Sequence, residues 1–212
     1  MAIDQQNTVV IAPAAPTAAV IFLHGLAQNA HEWAKRFEPI VAELPHVKFI
    51  LPTAAARPVT LLQGASTTAW YDLLSNPDAE NDSADGIETT QALILHLIEK
   101  EVAAGTPYNR IVLAGFSQMK HALAGVIALS CYLPQSKTFE FAPETADVPL
   151  LMCHGDQDSV VSLPYATQCK QKLEADGVKN VTFNEYAGLE HVPRDDELEA
   201  VKAWLRRILP AQ

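Results

Sequence analysis

Cysteine is scarce in this chain. The three thiols, Cys131, Cys153 and Cys169, are odd in number and widely spaced, which suits neither a disulfide framework nor a zinc site. Cys131 and Cys153 fall in or beside apolar runs, where a free thiol behaves as a small hydrophobe. Basic residues are also few. Fifteen Lys and Arg against 25 Asp and Glu leave a formal charge of −10, without the clustered cations of a nucleic-acid footprint. No apolar run approaches the ~18 residues that a bilayer span requires. The opening MAIDQQNTVV has neither the basic nor the apolar region of a secretory signal. Repeats, low-complexity tracts and inter-domain linkers are absent too. The expectation is a cytoplasmic protein with no nucleic-acid partner and no stable membrane insertion.

What the chain does contain is an alternation of apolar runs and amphipathic stretches. AAVIFLHG (18–25), VKFILP (47–52), RIVLAGF (110–116), LAGVIALS (123–130), VPLLMCHG (148–155) and NVTFNEYA (180–187) have strand length. HEWAKRFEPIVAEL (31–44) sets Trp33, Phe37, Ile40, Val41 and Leu44 at helical spacing, and residues 85–105, about 164–176 and 195–209 read as further helices. Continuously apolar strands separated by helices predict a mostly parallel sheet covered on both faces, an α/β fold in one domain over residues 1–212. Residues 53 to about 83, rich in Ala, Thr, Ser and Pro, read as one long irregular stretch, and loops of that length in compact domains are usually functional.

In a parallel sheet the strand C-termini share one edge, where sites form. Gly115-Phe116-Ser117 puts a serine at such a tip, in the manner of the strained G-x-S-x-G elbow, although position 119 is Met and not Gly. HGDQDSVV places Asp158 in a loop off the same edge, and YAGLEHVP places His191 past another strand end. A serine hydroxyl is a weak nucleophile until an imidazole takes its proton and a carboxylate orients that imidazole, and the order Ser, Asp, His is that of an α/β-hydrolase. The His24-Gly25 turn in FLHGLAQ would let the Leu26 N–H join that of Gln118 in an oxyanion hole.

Taken together, AAVIFLHGL, ARPVTL, AWYDLL, NRIVLAGFSQ, LAGVIALSCYLP, CHGDQDSVV, YAGLEHV and VKAWLRRILP resemble the acyl-protein thioesterase and carboxylesterase family, which includes lysophospholipase-like enzymes of the α/β-hydrolase fold. The resemblance implies hydrolysis of acyl esters and thioesters without cofactor or metal. Its substrates would be acylated proteins, small acyl esters or lysophospholipids. Ser117, Asp158 and His191 match the family triad, with Asp158 selected over Asp156, and Leu26 and Gln118 match the oxyanion donors. Trp70 matches a tryptophan beside the acyl groove, whose wall would include Leu62 and Gln63. A weak homodimer stays open.

Three departures carry consequences. The family's HGLGD reads HGLAQ, so Ala27 and Gln28 replace a glycine and an acid. LLQGASTTAW (61–70) places Gln63, Ser66, Thr67 and Thr68 where relatives are largely apolar, which predicts a preference for shorter or different acyl groups. Finally, only five residues separate Ser117 from Leu123. The interval is short of the family pattern by roughly a dozen residues, the size of the crossover that adjacent parallel strands need. The helix after the nucleophile is therefore missing. Either the chain is an internally deleted, non-catalytic isoform that binds acylated proteins or partners, or the molecule contains residues this sequence omits and is an ordinary enzyme.

Overall fold

The computed structural model describes residues 7–75, 85–118, 124–134 and 145–211, and for Gln118 the backbone alone. Seven strands form the main sheet: β1 (Thr8–Ile11), β2 (Ala18–Leu23), β3 (Val47–Pro52), β6 (Ile111–Gln118), β7 (Gly125–Tyr132), β8 (Leu150–Gly155) and β9 (Val181–Tyr186). Their order is β1-β3-β2-β6-β7-β8-β9, and every pairing is parallel except that of β1 with β3. Four helices flank it: α1 (Ala30–Glu43), α2 (Ile87–Ala103), α3 (Leu163–Ala175) and α4 (Asp195–Ile208). None of the described helices is long and apolar enough to cross a membrane.

Both faces of the sheet are covered, which is why its strands read as unbroken apolar runs. In β2 the alternation is explicit. Ala18, Val20 and Phe22 pack with α1 and α4 through Trp33, Phe37, Ile40, Val201 and Leu205, whereas Ala19, Ile21 and Leu23 pack with Ile94, Leu97 and Ile98 of α2. The rings of Phe22, Trp33 and Phe37 meet at centroid distances of 4.3 to 6.0 Å. Truncating any of them to alanine would cost about 3–5 kcal/mol. The N-terminus of α1 is capped by the Asn29 side chain, which accepts from Glu32 N, and that of α3 by Ser162, which accepts from Tyr165 N.

Two elements depart from the expected pattern. The stretch from residue 53 is not uniformly irregular: β4 (Ala56–Val59) and β5 (Ala65–Thr68) form an antiparallel hairpin outside the main sheet, joined by a short 3-10 turn at Thr60–Leu62. Its tip, Gln63-Gly64, has φ values of 57° and 81°. The hairpin is largely exposed and contains Pro58, so it carries no apolar alternation from which a strand could be read. The edge strand β1 is likewise too short to stand out.

The connectivity positions the site. From β2 the chain passes through α1 to β3 on one side, then through α2 to β6 on the other. The carboxyl ends of β2 and β6 therefore flank a topological switch point, the usual place for a site in an open α/β sheet. The expected loss of a helix concerns Met119–Leu123, which lie outside the described residues.

Candidate active site

Register brings the sequence candidates to one edge. Leu23 pairs with Gly115, so the His24-Gly25 turn lies beside the end of β6, which keeps Ser117 within the strand up to Gln118. Gly155 pairs with Tyr186, which sets the Asp158 and His191 loops side by side. Ser117 is nearly buried and has φ +66°, a left-handed conformation that costs a non-glycine residue about 1–2 kcal/mol. Such strain marks the elbow expected of a GFS turn.

His191 Nδ1–H donates to Asp158 Oδ2 at 2.7 Å, which leaves Nε2 as the proton-accepting nitrogen. The other carboxylate oxygen, Oδ1, accepts from Val160 N at 2.9 Å and Val161 N at 2.8 Å. Burial by itself would raise the Asp158 pKa. The hydrogen bond and charge of His191, with the Val161 and Val160 N–H groups, outweigh burial and hold the carboxyl below its ordinary value. Behind it, His154 Nε2–H donates to Val161 O at 2.8 Å and lies 3.5 Å from Asp158 Oδ2, bracing the loop from within the sheet. Asp156, the other acid of HGDQD, is exposed and accepts from Gly188 N at 2.7 Å, so it ties the two loops together and does not meet His191.

Phe116 joins these parts. Its ring lies 4.9 Å from that of His191 and 5.4 Å from that of Trp33, and it closes on Gly25, where a Cβ would come within 2.8 Å of Phe116 Cδ1. Ser117 thus follows directly on the residue that carries His191. Reading the sequence for nucleophile, base and acid passes over Phe116. Its only signal was an aromatic between the glycine and serine of the elbow.

Around the oxyanion candidate Leu26, the neighbouring groups are committed. His24 is neutral, its pKa lowered by burial. Its Nε2 accepts from Ala54 N at 3.0 Å, which puts the proton on Nδ1 for donation to Gly25 O at 2.7 Å. Gly25 N donates to Gln28 Oε1 at 2.9 Å, Ala27 N to Thr68 O at 2.9 Å, and Gln28 N to Gly25 O at 3.2 Å. Ala27 itself has φ +60°, keeping the turn in a glycine-like conformation without glycine. Of Gln118, the second oxyanion candidate, the backbone pairs with Tyr132 of β7.

The groove candidates divide. Leu62 and Gln63 are exposed on the hairpin. Trp70 is not on an open wall: it is 2% exposed, its Nε1–H donates to His24 O at 2.6 Å, and its ring stacks 5.0 Å from that of His24. An indole combines a large apolar body with one donor, and here both serve the core beneath the His24 turn. Thr68, grouped by sequence with a polar wall, turns its hydroxyl to Gln28 O at 2.7 Å.

The geometry is matched by relationships to known proteins. A profile of the phospholipase/carboxylesterase family matches residues 5–209. Acyl-protein thioesterase 1 of Neurospora crassa is 39% identical over 216 residues, covering 92% of this chain and 88% of that one. Acyl-protein thioesterase 1 homolog 2 of Dictyostelium discoideum is 35% identical over 208 residues, covering 92% and 94%. Among solved structures, acyl-protein thioesterase 2 of Zea mays superposes with a TM-score of 0.79 at 29% identity, over 95% of this chain and 98% of that one. With its parallel sheet and flanking helices, the chain belongs to the phospholipase/carboxylesterase family and has the α/β-hydrolase fold.

Proposed function

We propose that this chain is a cytoplasmic serine hydrolase cleaving acyl esters and thioesters, with acylated proteins, small acyl esters and lysophospholipids as its substrate classes. The reading is carried by the 2.7 Å His191–Asp158 hydrogen bond beside a serine held at positive φ. Family membership supports it. In this mechanism His191 Nε2 removes the Ser117 proton as Oγ attacks the acyl carbon. Asp158 keeps the imidazole in the tautomer that allows this and stabilises the imidazolium that results. The tetrahedral oxyanion is met by the Leu26 and Gln118 N–H groups. His191 then returns the proton to the leaving thiolate or alkoxide, and water repeats the sequence on the acyl-enzyme. Every step uses side chains and backbone amides of this chain, so one domain without cofactor or metal suffices.

The test is labelling by a fluorophosphonate, which reacts quickly only with an activated serine. Folded wild-type protein should label, and Ser117→Ala should not. Equal labelling of both would refute the assignment of Ser117. Chain-length preference is read from a p-nitrophenyl ester series. Apolar burial supplies ~0.8 kcal/mol per methylene, so the polar hairpin argues for short acyl groups, and a clear optimum at C16 would defeat that argument.

One observation favours a second reading, a non-catalytic protein that binds acylated partners. β6 and β7 are adjacent and parallel, yet only residues 119–124 join them. Adjacent parallel strands are ordinarily joined by a dozen or more residues, so the sequence itself is short of the usual crossover. Folded protein that binds an acylated peptide but does not label would establish this alternative.

A further inference from the structure

The turn after β2 is held by a side chain that the mechanism above does not use. Gln28 Oε1 accepts two hydrogen bonds, from Gly25 N at 2.9 Å and from Trp33 Nε1 at 2.8 Å, while the Gln28 N–H reaches back to Gly25 O at 3.2 Å. Gly25 is therefore gripped on both sides by one residue. The consequence follows from the planarity of the peptide bond. Gly25 C=O and Leu26 N–H belong to the same trans peptide and point in opposite directions. Whatever fixes Gly25 O, here His24 Nδ1–H at 2.7 Å and Gln28 N–H, also sets the direction of the Leu26 N–H. The turn includes Ala27 at φ +60°, a strained conformation that persists only where the surroundings over-determine it.

We propose that Gln28 is a positioning residue for catalysis: its side-chain oxygen, anchored by Trp33, holds Gly25 N–H while its backbone N–H holds Gly25 O, so that both peptides of Gly25 are fixed and the Leu26 N–H is aimed at the oxyanion. The inference rests on the proposed role of Leu26. An amide oxygen has two lone pairs and accepts both N–H groups at once, as a carboxylate oxygen would. Thr68 completes the brace from the hairpin side, donating its hydroxyl to Gln28 O at 2.7 Å and accepting from Ala27 N at 2.9 Å.

Removing an oxyanion donor outright costs about 10²–10³ in kcat. Gln28→Ala leaves the donor in place but misaimed, so kcat on a p-nitrophenyl ester should fall by about 10- to 100-fold, with KM within about threefold of wild type. Affinity for an alkyl boronic acid, whose serine adduct is a tetrahedral anion, should fall in parallel with kcat. Gln28→Glu retains the acceptor and should recover most of the loss. Trp33→Phe, which keeps an aromatic ring but removes the pyrrole half with its anchoring N–H, should lower kcat in the same sense by a smaller factor. It also supplies the measurement if Gln28→Ala fails to fold. Wild-type kcat in folded Gln28→Ala or Trp33→Phe, a loss confined to KM, or no recovery in Gln28→Glu would each overturn the proposal. Ser117→Ala separates its failure from that of the underlying reading. If Ser117→Ala is dead and Gln28→Ala fully active, only the role of Gln28 falls. If Ser117→Ala turns over substrate normally, the active-site assignment itself falls.

Discussion

Replacing Gly155 by alanine should damage catalysis more than stability. An alanine Cβ at this position would lie 2.0 Å from Leu189 O and 2.6 Å from its carbonyl carbon, both backbone atoms. Real Cβ contacts essentially never fall below 3.0 Å, so the two strand ends must separate by about 1 Å. Gly155 leads into the loop that carries Asp158, and Leu189 lies two residues before His191. The same loops are tied by the hydrogen bonds from Gln157 N to Leu189 O at 3.1 Å and from Asp156 N to Tyr186 O at 3.1 Å. A 1 Å separation passed on to the 2.7 Å His191–Asp158 contact would carry it beyond hydrogen-bond range. Misplacement of that size costs about 10²-fold in rate. Overpacking strain adds about 1–3 kcal/mol of destabilisation. Each kcal/mol lowers Tm by about 2–4 °C in a chain of this size. The assay is kcat/KM on a p-nitrophenyl ester beside a thermal melt. A variant with wild-type kcat/KM would refute the claim that close backbone approach at Gly155 sets the acid–base geometry.

Three further outcomes are expected. Asp158→Asn, which favours the wrong His191 tautomer, should lower kcat by about 10³–10⁴. Because the Asp158 carboxyl is held below its ordinary value, its contribution to stability is present above about pH 4 and lost as the pH falls through its depressed pKa, so acid unfolding curves of wild type and Asp158→Asn should converge at low pH. Glu197 is fully buried in the first turn of α4, and burial, outweighing the pull of the Arg194 backbone N–H, pushes its pKa up to about 7. Its ionisation therefore destabilises the fold as the pH rises from about 4.5 through 7, by on the order of 3 kcal/mol. Glu197→Gln should raise Tm at pH 8 and not at pH 4.5, and equal pH slopes in both proteins would refute this. Ser130 has φ +48° and a buried hydroxyl without a partner among the described residues. Ser130→Gly should therefore raise stability by about 1 kcal/mol in chemical denaturation, and unchanged or lower stability would count against strain at this point.

The sheet was legible because strands buried on both faces are apolar at every position, and their ends are set by Gly, Pro or polar residues. Strand and helix limits read from the pattern fall within one or two residues of those observed, as for Val47–Pro52 and for Asp195–Ile208 against 195–209. The hairpin was not legible. Its strands of four residues, ARPV and ASTT, face solvent, so no burial is written into their composition. The site divides along the same line. Ser117, Asp158 and His191 stand out as candidates because their chemistry is rare and each lies at or past a strand end within three residues of a glycine. The side chains packed around them do not stand out. Thr68 and Phe116 make their contacts only when distant segments meet, Gln28 reaches Gly25 and Trp33 within its own turn but without a motif that marks it, and Trp70 has the residue type of a groove wall but the burial of a core residue.

The positive φ of Ser117 raises the question of what holds the elbow. In the usual arrangement a helix follows the nucleophile and the strand-to-helix turn fixes it. Here β6 and β7 pair from Val112 with Gly125 to Gln118 with Tyr132, so sheet contacts reach the elbow itself. The register shifts between Phe116 and Gln118, so that Ser117 alone stands opposite Ser130 and Cys131, a bulge in β7. Both serines at this bulge have positive φ. The buried Cys131 thiol lies 3.4 Å from Gly115 O and 3.3 Å from Leu129 O, with its one proton available to either, immediately below the elbow. The strain at Ser117 is thus shared across two paired strands, and the bulge between them is an element on which a working nucleophile would depend.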